Sequence, residues 1–332
     1  MTIQHPFPLY HSLFLLFLAT TTTLISPSLG ALRKCHPSDY KALMSIKNSL
    51  HKPYILDSWV QNTDCCNKWM GVSCNHTTNR VYDLSLFVGE ISGQIPSSVG
   101  DLPYLESLFF SHYKNISGSI PQSITKLKHL RMLGFNNMSL SGPIPHFLNQ
   151  LTALTYLDLS YNQFSGSIPP NLSDLKHIGY INLAENKLTG SIPESFGNFT
   201  GIVPYLYLNG NKLTGPIPKS LGAMDFGQID LSRNKLVGDA SMLFHPNSST
   251  WHIDLSRNQF EFDLTKVKFP KDLNWLDISR NKIFGGIPEE IKGLEQLNEL
   301  KLGYNRLCGK IPTGGIMQRF KSTCFYHNKC LE

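Results

Sequence analysis

The chain has 332 residues, with 30 Lys and Arg against 24 Asp and Glu, a formal net charge of +6 and seven cysteines. Charged residues make up 16% of the chain and hydrophobic residues 41%, which excludes an intrinsically disordered protein. No run of about 18 or more apolar residues occurs, which excludes a polytopic membrane protein.

Residues 1–30 are predicted to be a secretory signal peptide. Leu13 to Ala19 form a short apolar run, and Ser28 and Gly30 supply the small residues of a cleavage site after Gly30. The alternative is a buried hydrophobic helix. The N-terminal position, the shortness and the change of composition that follows favour the signal peptide.

Six N-x-[ST] sequons follow, and in a secreted chain they indicate a glycoprotein whose acceptor asparagines lie on the surface. The acceptors are Asn75, Asn115, Asn137, Asn171, Asn198 and Asn247. No second apolar stretch lies near the C-terminus, so we expect an extracellular protein that is released without a membrane anchor.

Residues 31–80 are predicted to form an N-terminal cysteine-rich cap. They contain an amphipathic helical stretch from Tyr40 to Leu50, two tryptophans, Trp59 and Trp69, and four cysteines. The cysteines belong to an oxidising compartment, where disulfides are a better interpretation than a metal site. Such a cap is needed because a stack of repeats exposes apolar surface at its ends.

Residues 81–307 contain ten repeats of about 24 residues, marked by an apolar pair of the form L-x-L. The first members of the pairs are Leu84, Leu108, Leu133, Leu157, Ile181, Leu206, Ile229, Ile253, Leu276 and Leu300. The unit L-x-x-L-x-L-x-x-N-x-L-x-G-x-I-P is typical of an extracellular leucine-rich repeat. We therefore predict an α/β fold, a right-handed leucine-rich-repeat solenoid with disulfide-closed caps and a parallel sheet on its concave face.

An asparagine recurs after the strand of each later repeat, where its side chain can bond backbone groups in the bend. These asparagines are Asn162, Asn186, Asn211, Asn234, Asn258, Asn281 and Asn305. The first three repeats lack it, with Gly89 and Met138 at two of the positions, so the N-terminal part of this ladder should be less regular. Residues 308–332 are predicted to form the C-terminal cap.

Several segments resemble the plant polygalacturonase-inhibiting proteins, and the resemblance covers nearly the whole chain after residue 31. They are the cap segment 64–72, the degraded repeat 236–244, the stretch 269–273, and the endings 305–312 and 326–330. The resemblance implies a cell-wall glycoprotein that binds and inhibits fungal or insect endopolygalacturonases through its concave face. It thereby limits pectin degradation and supports plant defence.

The resemblance also implies how the cysteines pair. The implied disulfides are Cys35–Cys65, Cys66–Cys74 and Cys308–Cys330, which leaves Cys324 as a free thiol. The family has further cysteines beyond the equivalent of Cys330, where this chain has Glu332 and stops. We therefore expect a shortened C-terminal cap held by one disulfide.

The concave face offers the partner-binding residues, because side chains between and before each apolar pair point away from the core. The predicted set is Tyr156, Asp158, Tyr180, Asn182, Tyr205, Tyr207, Gln228, Asp230, His252, Asp254, Trp275 and Asp277. An acidic stripe complements the basic cleft that an enzyme needs in order to hold a polyanion, and aromatic residues often dominate binding energy. The alternative for the aspartates is that they only solvate the strand face.

Arg233, Arg257 and Arg280 each precede a ladder asparagine and suit contacts with carboxylates, so they are candidates for binding pectin. The alternative is a solvated edge, because a net charge of +6 is modest for this length. Nucleic acid is not an expected partner of a secreted glycoprotein.

Two other functions remain open on the same scaffold. One is an extracellular recognition module for a peptide or receptor, and the other is a wall-structural or ice-binding protein, for which regular outward rows of Thr or Asn would be evidence. Catalysis is not expected, because Asp254 and Asp277 recur as one repeat position rather than as a special pair. No cofactor or metal is predicted, and we expect a monomer.

Overall fold

The computed structural model describes residues 35–87 and 89–332, and the predicted signal peptide lies outside the described residues. The described chain folds, as predicted, into a solenoid of stacked repeats. The first residue of each apolar pair lies within a short strand. These ten strands and one strand of the N-terminal cap form one eleven-stranded sheet. In order, they are Val72–Cys74, Val81–Phe87, Ser107–Ser111, Met132–Asn136, Tyr156–Asp158, Tyr180–Asn182, Tyr205–Tyr207, Gln228–Asp230, His252–Asp254, Trp275–Asp277 and Glu299–Lys301.

The predicted parallel sheet has one antiparallel strand. Val72–Cys74 of the cap pairs antiparallel with Val81–Phe87, whereas the later neighbours are parallel. The connection between these two strands, residues 75–80, is too short for the crossover that a parallel pair requires, which takes about a dozen residues. The cap therefore joins the sheet as a hairpin.

Short strands also form beyond the bend of each repeat, where the chain starts toward the other side of the solenoid. One group of five is Ser92–Gln94, Asn115–Gly118, Ser139–Pro143, Gln163–Gly166 and Lys187–Leu188. Two groups of three follow: Thr214–Pro216, Lys235–Gly238 and Gln259–Phe260, then Phe284–Gly285, Arg306–Gly309 and Cys330–Leu331.

The α-helices of the described residues both lie in the N-terminal cap. They are α1 (Pro37–Ser49) and α2 (Cys65–Lys68). Helix α1 starts before the predicted stretch because Pro37 fits its first turn and the His36 side chain accepts a hydrogen bond from the Ser38 N–H at 3.3 Å. Neither helix is long and apolar enough to cross a membrane, as far as the described residues extend.

The remaining helical turns are 3₁₀ helices, most of which lie on the side opposite the main sheet. They are Tyr54–Leu56, Ser97–Asp101, Gln122–Lys126, His146–Gln150, Pro170–Asp174, Glu194–Asn198, Lys219–Ala223, Ser241–Leu243, Leu264–Lys266, Glu289–Gly293, Gly315–Arg319 and Ser322–Cys324. In seven of the Ile-Pro motifs the proline stands directly before such a turn, for example Pro121 before Gln122–Lys126. Pro fixes φ near −65° at this entry.

The predicted asparagine ladder is confirmed. The Asn211 side-chain NH₂ donates to the Leu183 carbonyl of the preceding repeat at 2.9 Å and to the Leu208 carbonyl at 3.0 Å, while its oxygen accepts from the Leu188 N–H at 3.0 Å. One amide side chain thus satisfies backbone groups of two repeats. In the early repeats, the side chains of Tyr113 and Met138 are buried at the ladder position instead.

Asn328 extends this ladder into the C-terminal cap. Its NH₂ donates to the Leu302 carbonyl at 3.2 Å and to the Phe325 carbonyl at 2.8 Å, and its oxygen accepts from the Leu307 N–H at 3.1 Å. The segment around Phe325 therefore stacks on the tenth repeat as a partial eleventh unit, which the repeat pattern of the sequence did not reveal.

Candidate functional site: the concave face

Parallel pairing in register brings the predicted partner-binding residues into rows across the sheet. Asp230 pairs with Asp254, and Asp254 pairs with Asp277, so the three side chains lie on adjacent strands roughly 4.8 Å apart. We call Asp230, Asp254 and Asp277 the aspartate triplet. On the same position of earlier strands, Asn182 pairs with Asp158 and Tyr207 with Asn182.

Each carboxylate of the aspartate triplet also holds the turn that follows its strand. Each accepts one backbone N–H from two residues further on: Asp230 from Ser232, Asp254 from Ser256 and Asp277 from Ser279, each at 2.9 Å. The recurrence of Asp at this position therefore has a structural cause.

Burial and repulsion between neighbouring carboxylates raise the pKa of two members of the triplet, Asp230 and Asp254. Burial, followed by the charges of Asp230 and Asp277, raises the pKa of Asp254 to about 7. Burial also raises the pKa of Asp230, against hydrogen bonds from Ser232 and the positive charge of Arg233. The negative charge of this part of the face therefore depends on pH around neutrality.

Asp158 has a different environment from the triplet. It is buried, and its oxygens accept from the Ser160 N–H at 3.0 Å, the Ser160 hydroxyl at 2.6 Å and the Asn136 NH₂ at 2.7 Å. With these bonds made, Asp158 has little capacity to meet a partner in this structure. It organises the middle of the face.

An aromatic ridge runs across the N-terminal half of the concave face. It consists of Phe87, Phe109, Tyr156, Tyr180 and Tyr207. Successive ring centroids are 6.1, 5.9, 4.4 and 5.4 Å apart, and the closest pair is stacked within 6°. Three of these residues come from the predicted set, while Phe87 and Phe109 were not predicted as binding residues.

Gly134 makes the aromatic ridge continuous. A Cβ at this position would lie 2.1 Å from the Phe109 ring, so the ring lies over the glycine and reaches the strand beyond it. Phe109 and Gly134 occupy the same register position of neighbouring strands, and Tyr156 lies two residues before the residue that follows Gly134 in this row, Asp158. Burial raises the pKa of Tyr207 to about 12, so its hydroxyl stays protonated and can donate a hydrogen bond.

A second aromatic group flanks the aspartate triplet. The His252 and Trp275 rings stack with centroids 5.4 Å apart, and the Lys301 ammonium lies 4.8 Å from the Trp275 ring centroid. Lys301 also pairs with Glu299 at 2.8 Å, and burial lowers the pKa of His252. Tyr205 and Gln228 occupy the corresponding position of the two preceding strands, and Tyr205 is 40% exposed.

The three predicted pectin-binding arginines lie in the same turn of successive repeats, where each has a left-handed backbone with φ of 54° to 58°. Arg233 forms an ion pair with Glu185, and the Arg280 guanidinium stacks 3.9 Å from the Tyr304 ring centroid. Arg257 forms no ion pair among the described residues. It is therefore the arginine of this row that has no internal partner for its charge.

The structure contains the disulfides Cys35–Cys65, Cys66–Cys74 and Cys308–Cys330. Cys324 is the unpaired cysteine of the described residues, half-buried beside the end of the main sheet, and burial raises the pKa of its thiol. The sulfurs of Cys35, Cys65 and Cys66 lie close together, but disulfide bonding leaves them no thiolate with which to hold a metal.

The sequon asparagines differ in how they present their amide nitrogen. Exposed acceptors are Asn75, Asn115, Asn198 and Asn247. Asn137 is half-buried in a left-handed turn, and the Asn171 amide nitrogen donates to the His146 carbonyl at 2.8 Å. Glycan attachment at Asn171 would replace one of the two hydrogens of that amide nitrogen and so compete with this bond.

Comparison with known proteins shows the class to which the fold belongs. The Leucine rich repeat N-terminal domain family matches residues 36–75, and the Leucine Rich Repeat family matches 153–175, 177–199, 205–224 and 272–294. A solved plant ice-binding protein is 45% identical, with a TM-score of 0.88 over 90% of this chain and 96% of the other. The molecule is thus a plant-type leucine-rich-repeat protein with a capped N-terminus.

Curated relatives narrow the class. The chain is 60% identical to a polygalacturonase inhibitor of Pyrus communis over 244 residues, which is 74% of this chain and 72% of the relative. It is 53% identical to polygalacturonase inhibitor 1 of Arabidopsis thaliana over 323 residues, 96% of each. The chain belongs to the polygalacturonase-inhibitor family.

Proposed function

We propose that this protein is an extracellular inhibitor of fungal or insect endopolygalacturonases that binds them through its concave face. The family membership carries this proposal, and the aromatic ridge beside the aspartate triplet supports it. A partner that cuts a polyanion must present a basic cleft, and a carboxylate row on a concave surface is complementary to such a cleft. The protein acts by binding, without catalysis.

The two halves of the concave face have different parts in this mechanism. The aspartate triplet and its pH-dependent charge speed the encounter with a basic cleft. The aromatic ridge supplies a large, rigid contact area. Once water is excluded from the interface, removing one of these rings would cost much of the binding free energy. Covering the cleft then prevents pectin from entering it, so inhibition is competitive with pectin.

The test is an assay of reducing-end release by a panel of fungal and insect endopolygalacturonases with and without the protein. Asp230→Lys combined with Asp254→Lys should slow association at low salt, and Tyr180→Ala should speed dissociation. Asp272→Lys, on an exposed position outside the face, is the charge control. Absence of inhibition across the panel would reject the proposal, and an unchanged association rate would reject the electrostatic part.

The cell wall is the proposed location, and pectin the proposed second ligand. Arg257 is the residue we expect to contact a pectin carboxylate, because its neighbours Arg233 and Arg280 already have partners. Replacing Arg257 with Gln should reduce binding to unesterified polygalacturonate more than replacing Arg233 does. Equal effects would favour the solvated-edge alternative.

The remaining organisation is proposed as predicted: a signal peptide at 1–30, a cap at 31–80, ten repeats over 81–307 and a C-terminal cap at 308–332. The secreted protein is proposed to be a monomer. Mass spectrometry of the secreted protein tests the cleavage after Gly30, and sedimentation tests the monomer.

Ice binding is a second candidate function, favoured by the solved neighbour that is named a plant ice-binding protein. The concave rows are mixed, but the strands beyond the bend carry, within them or directly after them, one exposed or half-buried hydroxyl per repeat over six consecutive repeats. These residues are Ser92, Ser117, Ser141, Ser165, Thr189 and Thr214. Thermal hysteresis that Ser165→Lys abolishes and Thr152→Lys preserves would support this candidate, and absence of hysteresis would reject it.

A further inference from the structure

A groove of about 830 Å³ lies on the outer side of the N-terminal cap, apart from the strands of the concave face. Helix α1 buries Ala42, Leu43 and Ile46 toward the repeats. Its opposite side carries Lys41, and the loop from Trp59 to Gln61 forms the facing wall. We call this feature the cap groove.

The cap groove is positively charged without a compensating carboxylate. Its lining includes Lys41, Lys47 and Lys52 and contains neither Asp nor Glu. Within the described residues, Lys41 and Lys52 form no ion pair, whereas Lys126, Lys266, Lys268, Lys292 and Lys301 each pair with a carboxylate. The positive charge of this groove is therefore available to a ligand.

Internal bonds fix the walls of the cap groove. The Lys47 ammonium donates to the Trp59 carbonyl at 2.9 Å, which ties α1 to the opposite wall. The Tyr40 hydroxyl accepts from the Asn62 N–H at 2.9 Å, and its ring packs on Trp69 with centroids 5.3 Å apart. A preformed groove loses little conformational entropy when it is occupied.

The polar and apolar groups beside the lysines match a carboxylated sugar. Asn48 and Gln61 offer amide groups that can bond hydroxyls, and Met44 and Val60 offer apolar surface for the C–H faces of a sugar ring. A galacturonate chain carries one carboxylate per sugar along with such hydroxyls and C–H faces. It is also the substrate of the enzymes for which the curated relatives are named.

We propose that the cap groove binds unesterified polygalacturonate, with Lys41 and Lys52 contacting successive carboxylates of one chain. The proposal rests on the proposed function only for the presence of pectin where the protein acts. The groove precedes the first repeat, while the arginine row lies in repeats seven to nine. A long chain that contacts both, or two chains held at once, would give the protein an avidity that neither site has alone.

The test measures binding of the full-length secreted protein to immobilised polygalacturonate and to fully methyl-esterified pectin, which lacks the carboxylate charges. Lys41→Glu with Lys52→Glu leaves the Lys47 bond intact. Lys219→Glu with Lys271→Glu makes the same change of net charge at exposed positions outside the groove. Polyglutamate serves as a polyanion without sugars, and thermal unfolding checks that both variants fold.

The groove variant should bind polygalacturonate about tenfold more weakly at low salt, the size of two surface charge contacts, while the control variant stays close to wild type. The esterified polymer should bind weakly to every form. Equal losses in the two variants, unchanged binding in the groove variant, or polyglutamate binding as tight as that of polygalacturonate would each overturn the proposal.

Enzyme inhibition is measured on the same samples. The groove variant should keep the inhibition of wild type, because no residue of the concave face is changed. A wild-type protein that inhibits no polygalacturonase would reject the inhibitor function, and would leave the binding result for the cap groove to be judged separately.

Discussion

The raised pKa of Asp254 predicts that replacing it by asparagine stabilises the protein at neutral and alkaline pH. Asparagine keeps an oxygen to accept the Ser256 N–H, which the Asp254 carboxylate accepts at 2.9 Å, and it removes the charge. Burial and the charges of Asp230 and Asp277 are the reasons why that charge is unfavourable. The variant therefore separates the charge from the hydrogen bond.

The size and pH range of the effect follow from linkage. The pKa of Asp254 is about 7 in the folded protein, against 3.8 for an unperturbed aspartate side chain. Below pH 3.8 the carboxyl is protonated in both the folded and the unfolded state, so its contribution to stability is fully present. As pH rises toward 7, only the unfolded state ionises readily, and stability is lost by about 4 kcal/mol in all.

Thermal unfolding of wild type and Asp254→Asn between pH 4 and 8 measures this effect. The melting temperatures should nearly agree at pH 4 and differ at pH 8 by about 5–10 °C, with the variant higher. The control variant Asp272→Asn, changed at an exposed position, should differ from wild type in melting temperature by the same amount at every pH in this range. Melting temperatures of wild type and Asp254→Asn that differ by the same amount from pH 4 to pH 8 would refute the reasoning.

Three further predictions concern the ridge, the ladder and the glycans. Gly134→Ala should displace the Phe109 ring and weaken enzyme inhibition about tenfold, whereas Gly293→Ala, which meets no atom within 4 Å, should not; equal inhibition constants would contradict this. Asn328→Ala should lower the free energy of unfolding by about 1–3 kcal/mol, because two carbonyls lose their donor, and urea titration checks it. Glycopeptide mass spectrometry should find glycans on Asn75, Asn115, Asn198 and Asn247, and the lowest occupancy at Asn171. Full occupancy at Asn171 would show that its hydrogen bond to the His146 carbonyl does not hinder glycan attachment.

The repeat architecture was predictable because each part of it recurs. One L-x-L pair is weak evidence, but ten at a steady spacing fix which side chains enter the core, and the ladder position follows at a constant offset. Asn211 and its equivalents make the same bonds in repeat after repeat. Periodicity therefore determined the sheet and the direction of most side chains.

Features without a repeat were not predictable in the same way. The antiparallel strand Val72–Cys74 depends on the short connection that follows it, and Asn328 lies in a unit that has Cys330 where the others have an apolar residue. For the concave face, the repeat pattern shows which side chains point outward, but it does not show whether a neighbouring residue already forms hydrogen bonds with them. Asp158 and the triplet share one position, but Asp158 also accepts hydrogen bonds from the Ser160 hydroxyl and the Asn136 NH₂, which the repeat pattern does not show.

The antiparallel strand at one end of the sheet has a counterpart at the other. There, the Cys324 and Tyr326 carbonyls accept from the Leu302 and Tyr304 N–H groups at 2.9 and 2.8 Å, directly after the last strand, Glu299–Lys301. An uncovered edge invites another chain to add a strand, which leads to filaments and aggregates. The hairpin and the tail therefore place backbone of the chain itself at the two ends of the sheet, where an added strand from another chain would otherwise pair.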